Sequence, residues 1–486
     1  MKMTTIDPSK KEENSKHLLI GKEQNKHSVT LPPKKIFASK LAAAAAAAAA
    51  AANNGTVKSI KTNASNGTVS IKRKLSASFD SMHTEKKAPK DKPVTTKPGK
   101  SITQAERIVR ACISQYRPYF LKDDSTQSEE NFNVVLEYPG SVESESFLLL
   151  KPVIKNTTGR SNEEEEEDQD EYNPITDLMR TCELIYECYL TSEEQELLGN
   201  QTYGIMRNLT KHRNRRNGPG FAQAVKEFNR AIRQFKAEGV LGRNAKEMGH
   251  PNYDLACHIL YQVYSRTVAR QADALNNYQA FSNNVYGEIN PVLIKDFITK
   301  TELDSQSVFM DMGCGIGNVV LQVAAQTGCE AYGIEIMETP CKFAKRQLKE
   351  YAARMKAWRL PTGKIHFRHG DFLDIAANDL HPTLKRSDVL LVNNFAFDAA
   401  TNQALVQLFL DLKDGTKIIS LKSFVPKHHK INQRTFNMPE SILQVEEFEY
   451  FSEAVSWTNN GGLYYISTVD RSRLKPFFDE MYGGYS

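Results

Sequence analysis

Residues 308–318, Val-Phe-Met-Asp-Met-Gly-Cys-Gly-Ile-Gly-Asn, decide how this chain is read. Val308 to Met312 has the length and apolar content of a buried parallel strand. Gly313, Gly315 and Gly317 then make a tight turn, and Asn318-Val-Val-Leu-Gln-Val-Ala-Ala opens a helix. A strand, glycine turn and helix in that order bring a ligand against bare backbone at a helix N-terminus. Dinucleotide folds space their glycines as Gly-x-Gly-x-x-Gly, and here the place of the third glycine is taken by Asn318. An acid, Asp311, stands just before the turn, where a pyrophosphate would be repelled and a cationic ligand favoured.

Gly-x-Gly-x-Gly preceded by an acid resembles the first motif of the S-adenosylmethionine-dependent methyltransferases, whose cofactor carries an ammonium and a sulfonium. The neighbouring elements fit. Ala331-Tyr-Gly-Ile-Glu335 is the next strand, and Glu335 lies 20 residues after Gly315, at the spacing of a ribose-binding carboxylate. Lys364-Ile-His-Phe-Arg-His-Gly-Asp-Phe372 is a third strand, ending in Asp371 to accept from the adenine amine and Phe372 to stack on the ring. Strands and helices go on alternating: strands at 388–394 and 416–423, helices at 339–358 and 402–413, and two late strands near 442–451 and 462–469 with no helix between them. That order predicts an α/β fold, the class I methyltransferase fold: a seven-stranded, doubly wound sheet, parallel apart from a closing antiparallel hairpin, with ligands at the strand C-termini.

Four segments are expected. Residues 1–100 carry 20 Lys/Arg against 7 Asp/Glu, a net +13, so the remainder of a chain of net +5 carries −8. With few aromatics and an alanine tract at Ala42–Ala52, this segment reads as a disordered basic tail, either merely solvated or suited to a polyanion such as DNA and to nuclear import. Residues 101–172 read as a linker with a small docking element and the acidic run Glu163–Glu167. Residues 173–285 read as a helical part, with helices at Thr176–Tyr189, Phe221–Gly239 and Asn252–Tyr278. An arginine-rich loop at 211–216 and a Gly-Pro-Gly turn join these helices; the loop is either a DNA contact or ordinary exposed surface. Residues 286–486 hold the sheet. Seven scattered cysteines without Cys-x-x-Cys predict neither a disulfide frame nor a metal site. No apolar run reaches the ~20 residues of a membrane span, and a secretory apolar core is not evident.

On the acceptor side, the fourth strand ends in Val392-Asn-Asn-Phe-Ala-Phe397, lacking the Pro-Pro that methylases of planar amines carry there. Together with Tyr286-Gly-Glu-Ile289, Phe309 to Asn318, Gly333-Ile-Glu335, Gly370-Asp-Phe-Leu, Val455-Ser-Trp-Thr and Tyr464-Tyr465, this resembles the disruptor-of-telomeric-silencing family, the histone methyltransferases without a SET domain that act on lysine-79 of histone H3. The resemblance covers about residues 173–486, and the basic extension is similar in kind to that of fungal members. It implies S-adenosylmethionine as cofactor, held by Tyr286, Gly287, Glu288, Ile289, Phe309, Met310, Asp311, Met312, Gly313, Cys314, Gly315, Ile316, Gly317, Asn318, Glu335, Asp371 and Phe372. It implies a lysine channel of Asn393, Phe397, Trp457 and Tyr464, with no general base assigned. It further implies a monomer in the nucleus whose substrate is the nucleosome, with contacts to histone H4, ubiquitylated H2B and DNA, and roles in telomeric silencing and the DNA-damage response. The competing expectations are a methyltransferase for RNA or a small molecule, and a chromatin scaffold whose methyltransferase fold is dead.

Overall fold

The computed structural model describes residues 101–123, 128–140, 144–153, 171–276, 287–375 and 378–482. The basic tail, the acidic run and Tyr286 lie outside these residues.

Ahead of the sheet come α1 (Ala105–Ala111), the short strands β1 (Tyr116–Pro118), β2 (Phe120–Leu121), β3 (Glu129–Glu130), β4 (Asn133–Glu137), β5 (Ser144–Leu148) and β6 (Leu150–Pro152), and six helices. These are α2 (Pro174–Tyr189), α3 (Ser192–Leu198), α4 (Gly204–Asn214), α5 (Gly218–Ala237), α6 (Val240–Met248) and α7 (Tyr253–Thr267). Their starts follow side-chain capping. The side chains of Asn173, Asn217 and Asn252 accept from backbone N–H groups of the first turns of α2, α5 and α7. Thr191 and Glu194 form a reciprocal capping box on α3.

Three expectations change here. The described part of 101–153 is folded rather than a linker: Ile102, Val109, Phe147, Leu149 and Leu150 are buried and share one core with α2, α7 and the sheet. Its signal was weak because four of its six strands are only two or three residues long and carry little periodicity. The arginine-rich stretch is the last turn of α4 and its C-cap Arg215, not a loop. Gly218-Pro-Gly is the first turn of α5, where proline costs no hydrogen bond.

The sheet has β7 (Val308–Met312), β8 (Glu330–Glu335), β9 (Ile365–His369), β10 (Val389–Val392), β11 (Lys417–Ser420), β12 (Leu443–Tyr450) and β13 (Gly462–Val469), in spatial order β12-β13-β11-β10-β7-β8-β9. All neighbours from β11 to β9 are parallel, and β13 runs antiparallel between β11 and β12. The expected closing hairpin is therefore present, with its second strand inserted next to β11. The intervening helices are α8 (Pro291–Thr301), α9 (Asn318–Thr327), α10 (Glu338–Ala357), α11 (His381–Arg386) and α12 (Ala399–Leu408), and α13 (Lys475–Tyr482) follows β13. β7 and β10 are buried at every position, as central parallel strands covered on both faces must be. This order, with its single reversed strand, is the class I methyltransferase topology, and its strand order turns back between β7 and β10. Open α/β sheets bind ligands at the carboxyl ends of such strands. No helix among the described residues is long and apolar enough to cross a membrane.

The front segments are locked to the sheet by a dry ionic cluster. Glu145 accepts a fork from Arg354 of α10 (2.5 and 2.8 Å) and a bond from Arg266 of α7 (2.8 Å), and Arg266 also reaches Asp177 of α2 (2.5 Å). All four side chains are fully buried. Tyr138 donates to Glu145 (2.7 Å) and Tyr172 to Asp177 (2.7 Å). Burial alone would raise both carboxyl groups, but the guanidinium groups of Arg266 and Arg354 carry Glu145 below its ordinary range, and Arg266 with His258 takes Asp177 to about 2.

Candidate functional site

The cleft at the ends of β7, β8 and β10 is built on the glycine turn. Gly313, Gly315 and Gly317 all have left-handed φ values (90°, 54° and 86°), which a side chain resists. A Cβ on Gly313 would meet only the Phe372 ring, at 3.8 Å, so its reason is conformational. Gly317 has a second reason: a Cβ there would sit 2.4 Å from Phe367 of β9, so this glycine lets α9 close onto the sheet. Gln347 of α10 fixes the turn from behind, donating to the carbonyl of Ile316 (2.8 Å) and to Asn318 Oδ1 (2.9 Å).

Glu335 ends β8 with both oxygens oriented by backbone: Oε2 accepts from Gly315 N (2.9 Å) and Oε1 from Met337 N (2.7 Å). Burial still raises its pKa. Asp311, 3% exposed, is pushed up to about 8 by burial and then by the charge of Glu335. The third carboxylate, Glu288, comes from the segment before α8. That segment is stitched to the β12–β13 connection: Glu288 N donates to Ser456 Oγ (2.8 Å), Ser456 N to the Glu288 carbonyl (2.9 Å) and Asn290 N to Ala454 (3.0 Å). Gly287 fits because a Cβ there would lie 2.8 Å from the Trp457 ring.

Of the expected residues, the cleft is lined by Gly287, Glu288, Ile289, Asp311, Gly313, Cys314, Gly315, Ile316, Asn318, Glu335, Phe372, Asn393 and Phe397. It also gathers Val319, Leu391, Ile336 and Met337, which the sequence reading missed. The last two directly follow Glu335 at the start of α10, a position the spacing to Glu335 already pointed to. Phe309, Met310 and Met312 are strand core, 1% exposed or less, and do not reach the cleft. Asp371 is exposed and turned onto its own loop, accepting from Leu373 N (2.8 Å). Phe372 packs beside Phe397, with ring centres 5.6 Å apart.

Two expected channel residues stand behind the wall. Trp457 is buried beneath Gly287 and 5.3 Å from the Phe395 ring. Tyr464 is fully buried and lines a separate cavity with Asp296 and Phe448, stacked on Phe448 (5.3 Å) and donating to Asp296 Oδ2 (2.6 Å). Alternation along β13 puts Tyr464 and Tyr465 on opposite faces, and the Tyr-Tyr pattern alone does not say which face meets the cleft. Tyr464→Phe should leave turnover within about twofold and lower stability by about 1 kcal/mol, the worth of one hydrogen bond. Steady-state rates and a denaturation curve check this, and a tenfold loss of rate with unchanged stability would return Tyr464 to the acceptor path. The neighbouring Asn-Asn pair also divides. Asn393 faces the cleft, while the buried Asn394 is structural, its Oδ1 accepting from Leu421 N (3.0 Å) and Lys422 N (2.8 Å) to tie β10 to β11.

The chemistry of this lining is one-sided. It contains three carboxylates and neither lysine, arginine nor histidine. Such a site suits a ligand with positive charge and hydroxyl groups and repels phosphate. Residues 264–469 match the family described as histone methylation protein DOT1. Beyond that segment, the chain is 36% identical over 367 residues to a protein of Emericella nidulans named histone-lysine N-methyltransferase, H3 lysine-79 specific, covering 76% of this chain and 69% of the relative. The chain belongs to the DOT1 family. A relative of the same name in Aspergillus fumigatus is 37% identical over 348 residues, covering 72% of this chain and 66% of its own length. The chain thus spans about two thirds of these DOT1 relatives. Among solved structures, an RNA methyltransferase from Salinibacter ruber in complex with S-adenosyl-L-homocysteine matches at 19% identity and TM-score 0.25, covering 37% of this chain and 91% of that one. At that score the strand order, not the overlay, defines the fold.

Proposed function

We propose that this DOT1 protein transfers methyl groups from S-adenosylmethionine to lysine-79 of histone H3 in nucleosomes, and so acts in the nucleus on chromatin. The observation that carries the cofactor is the anionic, lysine- and arginine-free cleft over a glycine turn. The substrate rests on the names of the DOT1 relatives.

The residues present fit the cofactor. Asp311 and Glu288 face the cationic methionine end, and Glu335, held by Gly315 N and Met337 N, keeps its outward lone pairs for the ribose hydroxyls. Phe372 supplies a flat apolar wall for the adenine, with Ile336 and Met337 opposite the loop from β9. When bound, the sulfonium supplies an electrophilic methyl group. Leu391, Asn393 and Phe397 at the end of β10 form the acceptor side, with Trp457 and Phe395 stiffening it from behind. An apolar wall there lowers the acceptor lysine from its ordinary pKa of ~10.4, so the amine arrives neutral. Transfer then depends on alignment of the amine with the methyl group, which the rigid β10 end provides. In this reading residues 1–100 anchor the enzyme on nucleosomal DNA, and contacts to H4 and ubiquitylated H2B belong to the same engagement.

The deciding measurement is transfer of labelled methyl to nucleosomes carrying lysine or arginine at H3 position seventy-nine, beside free RNA and histone H3 peptide. Label in the lysine nucleosome alone is the expected result. Label in RNA would move the enzyme to the competing class, and label nowhere would leave a scaffold.

Asp311 gives the binding step a pH signature. In the cofactor-free protein its carboxyl is largely protonated below about 8. A cationic ligand favours the carboxylate, so binding at neutral pH expels a proton. Affinity for S-adenosylmethionine should rise with pH by up to about tenfold per unit until Asp311 has ionised, then level off. Calorimetry in buffers of different ionisation enthalpy reads the proton directly. Asp311→Asn should flatten the profile at a lowered affinity, and a wild-type affinity flat from pH 6 to 9 would put the cation elsewhere.

A further inference from the structure

The antiparallel pair α4–α5 is the most basic folded surface described. Residues 204–236 contain nine Lys/Arg and one carboxylate, Glu227, a net +8 within a body whose charge outside the tail is −8. Three of the cations are paired: Arg216 with Glu129, and Arg233 and Lys236 with Glu137. Arg207, Lys211, Arg213, Arg215, Lys226 and Arg230 have no carboxylate within ion-pair distance among the described residues. Both helices turn their apolar faces inward, with Met206 and Leu209 of α4 and Phe221, Phe228 and Ile232 of α5 buried, while Arg207, Arg215, Lys226 and Arg230 are exposed and Lys211 and Arg213 half-buried.

The spacing is informative. Arg207, Lys211 and Arg215 follow one another at i, i+4 and i+8, and Lys226 and Arg230 at i, i+4. Like charges so placed destabilise a helix by about 0.2–0.5 kcal/mol per pair. Elsewhere the chain uses this spacing both for opposite charges, as in Glu106–Arg110, Glu338–Lys342 and Glu350–Arg354, and for like charges, as in Lys342/Arg346 and Lys345/Lys349 of α10. What sets α4–α5 apart is therefore the excess of nine cations over one carboxylate. A repulsive stripe maintained on two packed helices is explained by a polyanion that relieves it. Single strands are held by exposed aromatic platforms between the cations. The row on α4 is headed by one exposed ring, its N-cap Tyr203, which is tied to Glu196, and one ring does not make a platform for successive bases. Residues 204–217 contain no Phe, Tyr or Trp, and the phenylalanines of α5 are buried. A duplex backbone asks only for phosphate-spaced cations.

We propose that the outer face of α4–α5 is a duplex-DNA docking surface, separate from the basic tail, that grips phosphates while the cleft engages its substrate. The nature of the partner rests on the chromatin reading above, but duplex binding is measured without any methyl transfer, so the two fail separately.

The test uses the full chain with Arg207, Lys211, Lys226 and Arg230 all replaced by Gln, and a second variant in which Arg207 and Arg230 become Lys. The probe is a mixed-sequence duplex of about 147 bp, the length of one nucleosome wrap. Each phosphate neutralised releases counterions and adds about 0.9 to the steepness of the log–log salt slope, so loss of four contacts should flatten it by up to about 3.6. The lysine variant should keep the wild-type slope, because phosphate contacts at these positions need charge alone. The glutamine variant should melt at or slightly above wild type, because the repulsion is relieved, the lysine variant should melt with wild type, and S-adenosylhomocysteine affinity should match wild type in both. An unchanged slope in the glutamine variant overturns the proposal. So does weakened nucleosome binding with intact duplex binding, which would assign the stripe to an acidic protein surface, and so does a preference for single-stranded RNA over duplex.

Discussion

Glu145→Ala should destabilise the protein by about 3–5 kcal/mol, a large share of the 5–15 kcal/mol that folded domains possess. Glu145 is the only carboxylate on which both Arg266 and the fork of Arg354 converge among the described residues, and all three side chains are fully buried. Truncation leaves Arg354 with Glu350 at the edge of the cluster (3.0 Å) and a carbonyl of Thr103 (2.8 Å), and Arg266 with Asp177 alone as counter-ion. Most of the cost is the desolvation of a charge that has lost its partner, so removing the partner too should recover part of it. Glu145→Leu combined with Arg354→Leu is expected to be more stable than Glu145→Ala. Denaturant titrations of the three proteins decide. A cost below about 1 kcal/mol for Glu145→Ala would mean that water enters and the cluster is not dry. The pH response has a definite sign. Asp177 is depressed to about 2, so its contribution is complete above the ordinary carboxylate range and is lost as pH falls from about 4 through 2.

That cluster was invisible in the sequence, and the reason is physical. Glu145, Asp177, Arg266 and Arg354 are scattered over more than two hundred positions, and each alone looks like an exposed charge on a polar face. Only packing of α1, β5, α2 and α7 against α10 brings them together, and nothing local signals it. The sheet was legible for the opposite reason. β7 and β10 are buried on both faces, so their apolar runs are continuous, and the glycines of the turn are demanded by backbone angles that sequence records directly. The cofactor side of the cleft followed, because it is made by strand ends in chain order: Asp311, Glu335, Phe372 and Asn393 all line it. The acceptor side was less legible. Trp457 and Tyr464 come from the β12–β13 region, where a long connection and a reversed strand set which face a ring takes, and both rings pack behind the lining. Asp371 shows a third case. The loop after β9 lets a short carboxylate bond its own backbone, and such an Asx turn competes with any role toward a ligand.

Gly315→Arg should abolish cofactor binding, and the sign of its effect on stability is the more telling part. Gly315 sits at φ 54°, where a side chain costs roughly 1–2 kcal/mol, and its N–H is the donor that fixes Glu335. An arginine there places a guanidinium in a cleft lined by Glu288, Asp311 and Glu335, with no basic residue to oppose it. Its charge meets the same need that a cationic cofactor meets. Strain lowers the stability of the substituted protein, and relief of the raised Asp311 carboxyl restores it. The variant should therefore melt close to wild type in the absence of cofactor while its affinity for S-adenosylhomocysteine falls at least a hundredfold, about 2.7 kcal/mol. The ionisation of Asp311 should move down from about 8 toward the ordinary range, since the guanidinium now pays the charge. Gly315→Ala separates the two effects, because it keeps the strain and supplies no charge. It should melt lower than Gly315→Arg and bind cofactor better. Calorimetric titration and thermal melts of both variants across pH 5 to 9 give every quantity needed. Wild-type affinity in Gly315→Arg would remove the glycine turn from the site. A melt far below that of Gly315→Ala would show that the three carboxylates do not act on a charge placed among them.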